Sequence, residues 1–307
     1  MHKWPRRLGW TLLVLLTAGL PAYYLLLMRS PVLVGPPFPL DLAEVRRLAD
    51  SQPGPKAGEV RFEAVATFQF ADAMVVAGEP WARTPLPVYS YQLVFPDRTV
   101  VIDATLDRSL AKPERMVPQY DEAAYQRVSD GLFKAALIVI THEHSDHIGG
   151  IAHHPQAASL IPALRLTAEQ IGNPKGMKPA ELPDDLLLSY QPLHYDSLLA
   201  LAPGVVLIKA PGHTPGSQMV YVQLADGREL LFLGDVAWHR HSIEVQRERP
   251  LLMTLIIGED RQQVLAQFRT LQELAAREPS LHQVPGHDGG VVRELVDQGL
   301  LKSGFLP

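Results

Sequence analysis

Residues 141–150 read THEHSDHIGG, and they follow directly on the apolar run AALIVI. An apolar run of that length, rich in Ile and Val, has the pattern of a buried strand. His142, Glu143, His144, Asp146 and His147 therefore leave the end of a core strand, where each buried polar group needs a partner. In an extended segment residues two apart face the same side, so His142 and His144 can converge on one metal ion. The chain then turns toward Ile148-Gly149-Gly150, and at that turn Asp146 and His147 can face a second ion. Glu143 would point the opposite way. This reading holds only if distant segments bring further ligands to the same place.

Three other apolar runs end in the same manner. VVLIKA runs into PGHTPGS with His213, LLFLG into Asp235, and LHQV into PGHDGG with His287. In layered α/β proteins, sites collect at the C-terminal ends of strands. Gly212, Gly234 and Gly286 adjoin these residues and permit the tight turns that aim side chains inward. Imidazole mixed with carboxylate suits zinc, iron or manganese. The chain has no cysteine, which removes thiolate ligands, disulfides and a cysteine nucleophile from consideration. A net charge of −5, with no Lys/Arg run beyond the N-terminus, argues against a nucleic-acid partner.

The surrounding pattern is α/β. RFEAVATFQF, VYSYQLVF and RTVVID read as strands, as do the runs that close on the candidate ligands. Helices are expected near 121–130, 165–171, 260–277 and 290–300, and ADG at 225–227 fits a hairpin turn. This places one domain at 58–307. Before it, 31–57 combines the proline-dense PVLVGPPFPL with a short helix, DLAEVRRLAD. The segment from Leu8 to Met28 is uncharged and apolar, and as a helix it would cover roughly 30 Å. Residues 1–30 are accordingly expected to form an N-terminal transmembrane helix. Lys3, Arg6 and Arg7 before it favour a single pass in the cytoplasmic membrane, with the domain on the exocytoplasmic side. A cleaved signal peptide, with secretion, is the competing reading.

The order H-x-H-x-D-H, PGH, GD, PGH over residues 58–300 resembles the metallo-β-lactamase-fold superfamily of metallohydrolases. The resemblance implies a four-layer αββα domain. It also implies two divalent ions, with zinc expected and iron or manganese as alternatives. His142, His144 and His213 would hold the first ion, Asp146, His147 and His287 the second, and Asp235 would bridge them. Asp103, in VVIDAT, matches a position that supports the site structurally. Asp146 would also act in catalysis by orienting a metal-activated hydroxide. The bridging aspartate is similar to lactonases and glyoxalase II-like thioesterases. The resemblance thus implies hydrolysis of an ester, thioester, lactone, amide or phosphodiester in a small-molecule substrate. A mononuclear iron oxygenase of the same fold and a β-lactamase are the alternatives. His153, His154, His194, His239, His241 and His282 are read as surface or core polar groups, as is His2. Tyr190, Tyr195 and Trp238 are read as packing residues that would otherwise line the pocket.

Overall fold

The computed structural model describes residue 10, residues 15–112 and residues 118–307. The first sheet contains β1 (Glu59–Ala71), β2 (Arg83–Val94), β3 (Thr99–Ile102), β4 (Gln119–Tyr120), β5 (Leu137–Val139) and β6 (Leu164–Arg165). The second contains β7 (Leu198–Ala202), β8 (Val205–Lys209), β9 (Gln218–Gln223), β10 (Glu229–Gly234) and β11 (Leu281–Pro285). The last strand, β12 (Leu301–Ser303), returns to the first sheet. The strand orders are β12-β1-β2-β3-β5-β6, with β4 on β1, and β11-β10-β9-β8-β7.

Side-chain alternation explains why the sheets stack. In β3, Val100 and Ile102 enter the core between the sheets, while Val101 faces the helices outside. In β8, β9 and β10, Leu207, Val220 and Phe232 join that inner core. Their neighbours Val206, Tyr221 and Leu231 pack outward. Each strand is thus apolar on both faces, as a sheet covered on both sides requires. Helices Glu122–Lys134 and Ser145–Ala152 cover the outer face of the first sheet through Val128, Leu132, Ile148 and Ile151. Helix Arg261–Arg277 covers the second through Val264, Phe268 and Leu271. The packing order is helix, sheet, sheet, helix. Burying a side chain such as Phe268 contributes roughly 1.5–3 kcal/mol.

The helix Leu42–Ala49 starts where Asp41 accepts a hydrogen bond from the Ala43 amide at 2.9 Å. Its Leu42, Val45 and Ala49 join the outer core of the second sheet. Arg46 then clamps Glu229 of β10 with a two-pronged contact at 2.8 and 2.7 Å.

The expected membrane span is corrected. Among the described residues no helix is long and apolar enough to cross a membrane. The helical pieces Leu15–Gly19, Leu20–Tyr23 and Tyr24–Met28 have 5, 4 and 5 residues. Their far end packs on the domain instead. Leu27 is buried, its carbonyl accepts from the Gly78 amide at 2.9 Å, and Trp81 Nε1 donates to the Tyr23 hydroxyl at 3.2 Å. Residues 1–9 and 11–14 of the expected anchor lie outside the described residues. The cytoplasmic-membrane location and the membrane as a partner rested on that span, and they are withdrawn with it.

Candidate metal centre

β3 and β5 run parallel, with Ile102 opposite Val139, so Asp103 and Ile140 emerge at one level. In the second sheet β9 is antiparallel to both β8 and β10, and β11 is parallel to β10. The C-terminal ends of β8, β10 and β11 therefore share one edge, from which His213, Asp235 and His287 project. Gln218 ties the two sheets together there, its amide donating to the Thr141 carbonyl at 2.8 Å. His144 has an extended backbone and caps the helix Ser145–Ala152, so Asp146 and His147 lie in that helix's first turn. Gly150 lets the helix approach β3 closely, because a Cβ there would sit 2.1 Å from the Ala104 carbonyl oxygen. Asp103 and Thr105 adopt left-handed backbone conformations, φ +62° and +56°. Non-glycine residues hold such angles only where surrounding contacts enforce them.

Two groups of side chains result. His142, His144, His213 and Asp235 form one, and Asp146, His147, His287 and Asp235 the other, with the ligating atoms of each group within 4.8 Å of one another. In the first, His144 Nδ1 lies 3.1 Å from His142 Nε2 and 3.0 Å from His213 Nε2. Asp235 Oδ2 is 3.6 and 3.4 Å from those two Nε2 atoms. In the second, Asp235 Oδ1 is 3.3 Å from His147 Nε2 and 3.2 Å from His287 Nε2. Asp146 Oδ2 stands 3.6 and 3.5 Å from the same two nitrogens. Ligands at 2.0–2.1 Å around a tetrahedral ion are spaced about 3.3–3.4 Å apart. Both groups fit that spacing. His147 Nε2 and Asp235 Oδ1 are buried without a hydrogen-bond partner, and both face the second group's centre. Such atoms suit an ion, since an unpartnered buried polar group is otherwise costly.

The ring nitrogens that face away from the centre are held by the protein. His147 Nδ1 is 2.8 Å from Asp103 Oδ2, His287 Nδ1 is 2.8 Å from the Pro87 carbonyl, and His213 Nδ1 is 2.9 Å from Glu259 Oε2. These contacts fix which nitrogen points inward. Electrostatics divides the imidazoles. Burial, with the nearby His147 adding to it, holds His142 well below the usual range. Burial and Arg249 do the same to His213, and burial lowers His144 to about 3. Burial opposes charge on His147 too, but the carboxylates of Asp235, Asp103 and Asp146 outweigh it and raise that ring well above. Burial likewise favours a neutral Asp235, yet His287, His147 and His142 hold its carboxyl well below the usual range.

Glu143 lies outside both groups. Its carboxylate accepts from Asn173 Nδ2 at 2.6 Å and Thr214 Oγ1 at 2.8 Å, linking the His-rich loop to two other loops. His153 pairs with Asp107 and His241 with Glu79, each at 3.0 Å, and neither joins a metal group. Tyr190 and Tyr195 make hydrogen bonds to Leu166 and Gln218 away from the centre. Trp238 does reach the site, donating from Nε1 to Asp235 Oδ2 at 2.6 Å. Sequence reading missed the roles of Glu259 and Arg249, which lie 46 and 36 residues from His213 in a stretch without any repeat or metal spacing.

The two sheets thus bring two His/Asp groups, each spaced to hold a metal ion, to one strand-end edge. The chain belongs to the metallo-β-lactamase superfamily, whose family model matches residues 83–287. Over 215 residues it is 30% identical to a "probable metallo-hydrolase" of Mycobacterium tuberculosis, an alignment covering 63% of this chain and 66% of that one. The chain thus spans just under two thirds of that relative's length. It is 24% identical over 224 residues to an N-acyl homoserine lactonase of a Bacillus species, covering 68% of this chain and 84% of the lactonase. A dizinc quorum-quenching lactonase solved with the product N-hexanoyl-L-homoserine shares the fold at TM-score 0.57 and 14% identity, over 78% of this chain and 91% of that one.

Proposed function

We infer that the chain hydrolyses a lactone or open ester of a small molecule that carries an apolar acyl group, using two bound divalent ions, zinc by preference. The observation that carries this reading is a cavity of about 510 Å³ with two kinds of wall. His144, Asp146, Asp235 and His287 lie at its polar end, Phe68, Phe70, Met74, Leu86, Met253 and Ile257 give it a broad apolar wall, and Lys175 and Lys178 also line it. A reacting carbonyl fits the polar end while an acyl chain covers the apolar wall. The lactonase names of similar proteins support the same choice.

His142, His144 and His213 would hold one ion, Asp146, His147 and His287 the other, and Asp235 would offer one oxygen to each. Bound there, the ions would lower the pKa of a water toward neutrality and polarise the carbonyl under attack. In ester cleavage the water oxygen bonds to the carbonyl carbon, the C–O bond breaks, and a proton reaches the departing alkoxide. Asp146 is the carboxylate placed to hold that proton. Its side chain is 14% exposed and lines the cavity, whereas that of Asp235 is 3% exposed. Trp238 steadies Asp235 through its indole N–H.

The test is a panel of acyl lactones, open esters, thioesters, phosphodiesters and β-lactams, with the full chain loaded with zinc. The highest kcat/KM is expected on lactones or esters with a medium acyl chain. Met253→Ala should reduce kcat/KM more for long-chain than for short-chain substrates. Turnover confined to phosphodiesters or β-lactams, or thiol-dependent oxygen uptake by an iron-loaded protein, would overturn the reading.

A further inference from the structure

His213 differs from the other inward-facing imidazoles in what meets its outer nitrogen. His147 Nδ1 and His287 Nδ1 each face an oxygen, Asp103 Oδ2 or the Pro87 carbonyl. His213 Nδ1 faces two groups of opposite character. Glu259 Oε2 lies 2.9 Å away, and Arg249 Nη2 lies 3.1 Å away. All three side chains are sealed from solvent, with 0% exposure for His213 and Glu259 and 2% for Arg249. Arg249 donates from Nε to Glu259 Oε2 at 2.6 Å and from Nη2 to the Asp235 carbonyl at 2.9 Å. Its guanidinium also stacks on the Trp238 ring at 4.8 Å. Arg249 therefore cannot swing away.

A guanidinium only donates and an ionised carboxylate only accepts. If Nδ1 carries the proton, Glu259 is its acceptor, and Nε2 keeps a free lone pair toward His144 Nδ1 and Asp235 Oδ2. If Nδ1 is bare, it accepts from Arg249, and the proton moves to Nε2, where it blocks the ligating atom. We propose that Glu259 is a positioning residue that selects the Nδ1–H tautomer of His213 against the opposing pull of Arg249. Its consequence for metal binding rests on the reading that His213 ligates the first ion through Nε2. Arg249, bonded to the same Glu259 oxygen, holds that carboxylate in place against His213.

The experiment uses the full chain labelled with 15N-histidine and free of metal, where long-range 1H–15N correlation reports which ring nitrogen is protonated. A His213→Gln sample identifies the signal. The wild-type protein is expected to show Nδ1–H, and Glu259→Ala to show Nε2–H. In parallel zinc titrations, Glu259→Ala should weaken one of two ions by about 10–100-fold and leave the other unchanged. Removing the competing donor as well, in Glu259→Ala/Arg249→Leu, should recover part of that loss. Glu259→Gln, which keeps an acceptor oxygen, should hold the Nδ1–H form, and it serves if the alanine variant does not fold by circular dichroism. The proposal falls if folded Glu259→Ala retains Nδ1–H, if both ions weaken equally, if the double variant binds no better than Glu259→Ala, or if Glu259→Gln shows Nε2–H. A tautomer change in Glu259→Ala with no ion bound by the wild-type protein would sink the metal reading and leave the tautomer assignment standing.

Discussion

Asp103 Oδ2 lies 2.8 Å from His147 Nδ1, joining the end of β3 to the first turn of a helix 44 residues later. The same carboxylate accepts from the Thr141 amide at 2.6 Å and the Thr141 hydroxyl at 2.9 Å. One aspartate thus orients a candidate ligand and fixes the start of the His-rich loop. Asp103→Ala should weaken the second ion by about 10–100-fold and lower stability by about 1–3 kcal/mol, because the Thr141 donors lose their acceptor. Metal titration and denaturant melts measure the two effects. A variant with both values at the wild-type level would refute the role.

A glycine abuts the Asp235 carboxylate. A Cβ on Gly286 would lie 2.4 Å from Asp235 Oδ1 and 2.9 Å from the Gly234 carbonyl oxygen. Gly286→Ala is therefore expected to displace Asp235 and lower metal content while the sheets persist. At Gly289 the nearest atom to an added Cβ is Pro87 Cγ at 3.4 Å, an ordinary contact, so Gly289→Ala should keep its metal. Equal metal content in the two variants would contradict this reading.

Away from the site, the Arg46–Glu229 clamp makes stability depend on pH. Burial favours the neutral carboxyl of Glu229, but hydrogen bonds from Arg46 and Tyr221 outweigh it and hold the carboxyl below its usual range. A depressed carboxylate stabilises the fold fully above its unfolded value, near 4.3, and loses that contribution as pH falls through the folded value. Glu229→Gln should cost about 1.5–3 kcal/mol at pH 7. The gap from wild type should narrow as pH falls below about 4, as denaturant melts at both pH values would show. A gap of the same size in acid would rule out the linkage.

Much of the frame was legible in the sequence. Alternation in RTVVID marks a strand, and Val100 and Ile102 do face one core while Val101 faces another. The helix expected at 260–277 forms as Arg261–Arg277, begun by Asp260 accepting from the Gln262 amide at 2.9 Å. Near 165–171 the expected helix forms as Ala168–Ile171 with Thr167 as its cap, paired with Gln170, while Leu164–Arg165 just before it is a strand. The apolar N-terminal run shows a limit of hydropathy, which records that Leu27 avoids water without saying what replaces the water. In the fold Leu27 packs against the protein, while Leu20, Tyr23, Tyr24 and Leu25 are exposed. Glu259 was invisible for a different reason, since a buried carboxylate against His213 is created by tertiary packing alone.

The most direct test counts ions per chain by elemental analysis after reconstitution of the full chain in excess zinc. Asp235 sends Oδ2 toward the first group and Oδ1 toward the second, so it can couple two ions only if both are held. The wild-type chain is expected to hold two ions. Asp235→Asn should hold one or none, with turnover reduced by on the order of a hundredfold or more and an unchanged circular dichroism spectrum. A wild-type chain that never exceeds one ion, or an Asp235→Asn variant that keeps two ions and full turnover, would contradict the bridged pair.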